Sequence, residues 1–417
     1  MPSPPPSPAA ARVRGSRAHR AVLAAFVAMG LAVGTWGARV PDVRADLDLS
    51  EGSLGAALLG LSIGAVAGSW LGGALVRRLG ARRVVTGGWL LMAATLVPPG
   101  LAGSWATLAA SLTAVGLAIG VIDVAVNGAG VQLEEVSDEP LLSGLHAGWS
   151  GGVLVGAGAG ALAVAAGVGT GPHLVLVAGT VAVTALVAGP HVPAGRIAVI
   201  AEALHDGAAD GSGPRRRAAT RRLSALAAIG GAIFLVEGAL LDWSGILVRD
   251  DLGGGAVLGA LAVTGFSAGG LVGRMAGDGL AARWGPDRLI RVGVVVATVA
   301  FGAALASPWA APVPVLLGVV GVGIAPSVPL AFAAAGRAHG ERGIAVVTTA
   351  GYGSYLAGPG IIGGLAHAVT LQAALVVPLL LVAATGALAW STRPPSRDRG
   401  GTAPPPVSGK EGPWRCG

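Results

Sequence analysis

Between residues 20 and 391 the chain alternates apolar stretches of roughly 18 to 25 residues with short polar runs. Each stretch is about the length a helix needs to cross the hydrocarbon of a bilayer. Twelve are counted, at about 20–39, 53–76, 84–103, 106–132, 141–165, 172–190, 223–247, 254–276, 290–306, 312–335, 344–367 and 371–391. The pattern predicts an all-α integral membrane protein of twelve transmembrane helices.

The polar segments divide this run in two. The one long interior polar stretch, 191–222, is rich in Gly, Ala and Asp and ends in Arg215, Arg216 and Arg217. It reads as a cytoplasmic linker between a six-helix unit at 20–190 and a second at 223–391, with unstructured cytoplasmic tails at 1–19 and 392–417. A repeat supports the division. Trp36 and Trp243 are 207 residues apart, Leu54 and Leu258 204, and Gly80 and Gly285 205. The near-constant spacing expects two pseudo-symmetric halves with a solute site between them, close to the membrane midplane.

Composition agrees: 53% of the 417 residues are hydrophobic and 12% charged, with a mean hydropathy of +0.72. No water-soluble domain of this size carries such a surface. The net charge of +7 raises the question of nucleic acid. With the N-terminus in the cytoplasm, 24 of the 28 Lys and Arg fall in cytoplasmic loops and tails. Arg39, Arg44 and Arg249 lie outside and Arg274 near the inner end of a helix. That is the positive-inside bias, and nucleic acid is not needed to explain it. The single cysteine, Cys416, leaves no thiolate metal site, and no cofactor is expected. Abundant Arg with a single Lys points to a GC-rich coding sequence and a bacterial inner membrane, with the chain expected to act as a monomer.

The chemistry sits in a few polar groups inside the apolar stretches, where each needs a partner, a water-filled cavity or a proton. Asp123 and Asn127 are one helical turn apart on one face. They either line a cavity and act on one object or tie their helix to a neighbour by bonds of about 1 kcal/mol each. Glu237 lies about 14 residues, roughly 21 Å, into its span. It is the leading candidate to carry a proton, against a purely structural, Arg-paired role. Asp242 is about 140° round the helix from Glu237 and close to the outer end. There it could meet Arg39 and close an outer gate. His146 is either a proton shuttle or an interfacial hydrogen-bonding group. Trp36, Trp149, Trp243 and Tyr352 are candidates for an aromatic cavity wall suited to the C–H face of a sugar. Trp105 and Trp309 fit the interfacial belt. Gly151, Gly152, Gly156, Gly158 and Gly160 read as a close-packing helix surface, not a phosphate loop.

Several segments together resemble one family. "GTWGARVPDV", "DVAVNGAGV", "EGALLDWSGILVRD", "APSVPLAFAAAGR" and "GYGSYLAGPGIIGG" are similar, in this order, to the fucose-permease-like branch of the major facilitator superfamily. The resemblance implies alternating access by two rocking halves and a small-molecule substrate, with a proton (or a sodium ion) as the coupling ion. The family loop after the second span usually reads Gly-x-x-x-Asp-Arg-x-Gly-Arg-Arg. Here Arg77 stands in place of that Asp, followed by Arg78, and the inner gate is expected to be latched through Asp278 or Glu134 instead. Two alternatives remain at this level: an efflux carrier on the same fold, and a membrane-embedded sensor. A membrane enzyme is not expected, since the spans hold no His-Glu-x-x-His and no nucleophile beside a base.

Overall fold

The structure is a computed structural model that describes residues 13, 15–137, 141–194 and 214–391. Most of the expected N-terminal tail, the expected C-terminal tail and most of the expected linker lie outside the described residues; 17–19 and 214–222 are helical. Helices account for nearly all of the rest: α1 (Arg17–Asp46), α2 (Glu51–Leu79), α3 (Ala81–Leu96), α4 (Trp105–Ser137), α5 (Leu142–Ala165), α6 (Thr170–Ala188), α7 (Pro214–Ile246), α8 (Gly255–Trp284), α9 (Pro286–Ala306), α10 (Val313–Ile324), α11 (Ser327–Ala368), α12 (Leu371–Ala374) and α13 (Val376–Ser391). Eleven helical stretches are long and apolar enough to cross a membrane. The expected stretch 344–367 is helical but is not one of the eleven, because Thr, Ser, Tyr and Gly dilute its apolar residues. It forms the second arm of α11, which breaks at Gly340 (φ 59°, ψ −147°).

Local sequence explains where the helices start and stop. The Ser16 hydroxyl accepts the His19 N–H at 3.1 Å and Ser50 that of Ser53 at 3.2 Å, so each caps a helix N-terminus. Gly80 (φ 81°, ψ 158°) and Gly285 (φ 80°, ψ 150°) end α2 and α8 in a backbone region that only glycine enters freely. The repeat inferred from their spacing is thus repeated in backbone conformation.

Glycine lets the helices touch. A Cβ on Gly72 would stand 2.8 Å from the Val121 carbonyl, and one on Gly60 2.7 Å from the Thr113 hydroxyl, so α2 and α4 lie backbone to backbone. Gly152 and Gly156 of α5 meet the Val27 and Leu31 carbonyls of α1 in the same way. Gly151 has nothing within 4 Å. Between apolar helices in lipid such close approach is the main attraction available. The pairings recur along the chain: α1 on α5, α2 on α4, α3 on α4 and α6, then α7 on α11, α8 on α10, α9 on α10 and α13. Across the two sets, α5 packs on α8 and α2 on α11. Large apolar side chains such as Trp70 (81% exposed) and Leu162 (73%) face outward, as a lipid-contacting surface requires.

Candidate functional site

α4 carries Asp123 and Asn127 halfway along its length. The Asn127 amide donates to the Asp123 carbonyl at 2.9 Å and to its carboxylate at 3.0 Å. The carboxamide therefore orients the carboxylate on its own helix. The other side of Asp123 faces α11, where the Tyr352 hydroxyl is within hydrogen-bonding reach, and α5, where His146 approaches. The His146 Nδ1–H also donates to the Leu142 carbonyl (2.9 Å), and the ring tilts against Phe26 at 5.0 Å between centroids. Tyr352 stacks at 5.7 Å on Phe234 and is 45% exposed even though it reaches α4. Its exposed surface faces a gap inside the bundle.

A second cluster lies beside the first. Glu237 of α7 is 2.7 Å from the guanidinium of Arg274 on α8. The other amino group of Arg274 donates to the Ser150 hydroxyl of α5 at 3.0 Å, and the guanidinium carbon is 5.9 Å from the centre of the Trp149 ring. Tyr355 packs on Gly238, one turn from Tyr352, and lies close to both Glu237 and Asp242. The two clusters are joined along α5, where His146 and Ser150 are one turn apart, and along α11, where Tyr352 and Tyr355 are. Five helices thus place Asp123, Tyr352, Tyr355, Glu237, Arg274, Ser150 and His146 round one ring.

The far end of the bundle, where α1 ends and α2 begins, is closed. A wide turn at Leu247–Asp251 ends α7 and turns Arg249 and Asp250 towards α1. Arg249 pairs with Asp42 at 2.5 Å, Asp42 with Arg39 at 2.6 Å, and Arg44 with Asp250 at 2.6 Å as well as with Glu51. Below this layer Trp36 (6% exposed) and Trp243 (0%) are packed in the core, their indole N–H groups without a hydrogen-bond acceptor among the described residues. Gly55 and Gly363 bring α2 and α11 together there: a Cβ on Gly55 would stand 2.9 Å from the Gly363 Cα.

Several expected roles change. Arg39 does not pair with Asp242. It is held by Asp42 one turn away, by the His173 ring at 3.1 Å and by the carbonyls of Val168 and Gly169, while Asp242 has no ion-pair partner among the described residues. Trp36 and Trp243 are core side chains in this conformation, not cavity wall; Trp149 and Tyr352 border the gap. Glu134 accepts the N–H groups of Leu141 (2.6 Å) and Leu142 (2.8 Å), so in this conformation it caps α5. Arg77 and Arg78 are exposed in the last turn of α2, where the carbonyl end of the helix favours cations. Asp278 lies in α8, and its side chain is outside the described residues. Sequence places Arg274 as a helix-end charge, yet its long side chain reaches Glu237 on the neighbouring α7. Sequence reasoning misses Asp42, although the 207-residue spacing sets it opposite Arg249.

A bundle of long apolar helices that keeps a ring of charged and polar groups round an internal gap is the architecture of a membrane transporter. The chain belongs to the Major Facilitator Superfamily, whose model matches residues 21–343. It is 32% identical over 376 residues to an uncharacterized transporter, y4wD, of Sinorhizobium fredii (strain NBRC 101917 / NGR234), covering 89% of this chain and 97% of that one. Its fold is similar to that of a mutant form of the nucleoside transporter NupG (TM-score 0.67, 14% identity, 90% of this chain and 99% of that one). It is also similar to a bacterial homologue of the human lysosomal transporter Spinster in an inward-facing, unoccupied conformation (TM-score 0.64, 14% identity, 93% and 98%). The family and the relatives are transporters, not enzymes, and this chain is a multi-pass membrane transporter.

Proposed function

We propose that the chain is a proton-coupled carrier of a small polyhydroxylated solute, a monosaccharide or a close derivative. It works by alternating access in the inner membrane, as a monomer with both termini cytoplasmic and twelve spans in two halves, 20–190 and 223–391. The five segments from "GTWGARVPDV" to "GYGSYLAGPGIIGG" support membership of the fucose-permease-like branch. The observation that supports the reading is the approach of Tyr352 on α11 to the Asp123 carboxylate on α4, whose other side is held by Asn127. Asp123 and Asn127 offer an acceptor and an amide to solute hydroxyls. Trp149 and Tyr352 offer aromatic faces, and Glu237 takes up the proton. The recurring pairings of α1–α6 in α7–α13 support the two-half layout. The layer of Arg39, Asp42, Arg44, Arg249 and Asp250 is the outer gate, shut here, with Asp242 beneath it. Arg77, Arg78 and Asp278 lie at the inner mouth.

The test is uptake into proteoliposomes under an imposed inward proton gradient, over a panel of labelled monosaccharides and their derivatives. Uphill uptake of one solute is expected, abolished in Asp123→Asn and reduced to downhill exchange in Glu237→Gln. Full accumulation by Glu237→Gln would remove that residue from the proton path. Proton release on adding an organic cation, with no sugar taken up, would turn the assignment to efflux.

A further inference from the structure

Arg274 is the one group in the polar ring that a neutral solute does not explain. From the ion pair Glu237–Arg274 we infer that the transported solute carries a carboxylate, which takes the place of Glu237 on the Arg274 guanidinium when Glu237 takes up its proton. The inference rests on the proton-coupled reading above and narrows its substrate to an acidic sugar derivative.

The argument is one of charge. In this conformation Arg274 is compensated by Glu237 at 2.7 Å. A proton added to Glu237 neutralises that carboxylate and leaves the guanidinium as an unpaired cation among apolar helices, where a lone charge is strongly disfavoured. Among the described residues no second acidic side chain pairs with Arg274. Tyr355 of α11 lies close to Glu237, and Asp242 of α7 lies close to Tyr355 in turn. α5 contributes the neutral Ser150 and Trp149, and α13 has no titratable side chain. Asp242 lies about 140° round α7 from Glu237. Asp123 is engaged by Asn127 and Tyr352. The balance is restored by an anion that arrives with the proton. The proton joins the Glu237 carboxylate, the solute carboxylate accepts from the two terminal amino groups of Arg274, and the net charge of the site is unchanged.

The site is built for this exchange. A guanidinium presents a planar pair of donors that fits a carboxylate, which a lysine would not do. Ser150 and the Trp149 face hold Arg274 from α5, so it stays in place when Glu237 lets go. Asp123, with Asn127 and Tyr352, remains for the hydroxyl groups on the other side of the ring. Because proton and solute then bind as a pair, each raises the affinity for the other by the same factor.

The experiment measures binding of D-glucuronate, D-galacturonate and D-gluconate, with D-glucose and D-galactose as neutral counterparts, to the purified full chain. Calorimetry is run between pH 6 and 9, with proton uptake followed by an indicator dye. An acid is expected to bind with uptake of about one proton and an affinity falling about tenfold per pH unit on the alkaline side. Glu237→Gln should bind the same acid with no pH dependence and no proton uptake. Arg274→Gln should lose at least tenfold in acid affinity and Arg274→Lys less, with thermal unfolding of each showing that it is folded. Neutral sugars bound as tightly as the acids, native acid affinity in Arg274→Gln, or no binding of any acid would each overturn the inference. The parent reading has its own signature: gradient-driven uptake of a neutral sugar, lost in Asp123→Asn but kept in Arg274→Gln, would leave the carrier intact and remove only the carboxylate, whereas no gradient-driven uptake of any neutral or acidic sugar would overturn the parent reading itself.

Discussion

At Tyr352 a single hydroxyl separates two jobs. The ring packs on Phe234, whereas the oxygen reaches Asp123 across the gap. Tyr352→Phe keeps the packing and removes a hydrogen bond to a carboxylate, a contribution of about 1.5–3 kcal/mol. An increase of roughly 10- to 100-fold in KM for transport is expected, with a smaller fall in the thermal unfolding temperature than a core truncation gives. Trp243 should behave in the opposite way. It is fully buried and packed against α11, so Trp243→Ala leaves a cavity that costs about 3–5 kcal/mol. A lowered unfolding temperature should appear even without solute. A mutant of unchanged stability with weakened solute binding would restore Trp243 to the cavity wall. Sequence could not separate these two aromatic residues, since both lie inside expected apolar stretches. What divides them is which neighbour approaches in three dimensions.

At the scale of the helix, glycine spacing decides contact. Gly72→Leu would drive a side chain into the Val121 carbonyl of α4, and loss of monodisperse folded protein is expected on size-exclusion chromatography. Gly87→Leu, with nothing within 4 Å of its Cβ, is expected to elute as the native chain does. The helices themselves were legible in the sequence because length and hydropathy report directly on membrane crossing. Eleven of the stretches are long and apolar enough, and the twelfth, 344–367, departs because polar side chains and glycines replace the oil where α11 borders the gap. Asp123 and Glu237 were legible too, as charges inside apolar runs. Their partners were not. Arg274 lies near a boundary read from hydropathy, and hydropathy cannot show that a long side chain turns back into the bundle. Arg39 has several acidic groups within sequence reach, and only the fold selects Asp42.

For the whole molecule, the charged layer at the far end and the packing of Gly55 on Gly363 close one side. Partly exposed ion pairs contribute modestly, about 0.2–1 kcal/mol each, which suits the role of outer gate proposed for this layer. Asp42→Asn and Arg249→Gln should each raise labelling of a Trp36→Cys reporter by a membrane-impermeant maleimide added outside, in a Cys416→Ser background. The double variant should add little to either single one. Additive effects would show that the pair does not act as a unit. The spacing of that pair has a further consequence. Asp42 and Arg249 stand 207 residues apart, Arg44 and Asp250 206, so positions that match in the repeat meet each other with opposite sign. Two copies of the first six helices set face to face would oppose Asp42 to Asp42 and Arg44 to Arg44. Two matching parts of one chain would in this way be a lock and its key, neither able to partner its own duplicate.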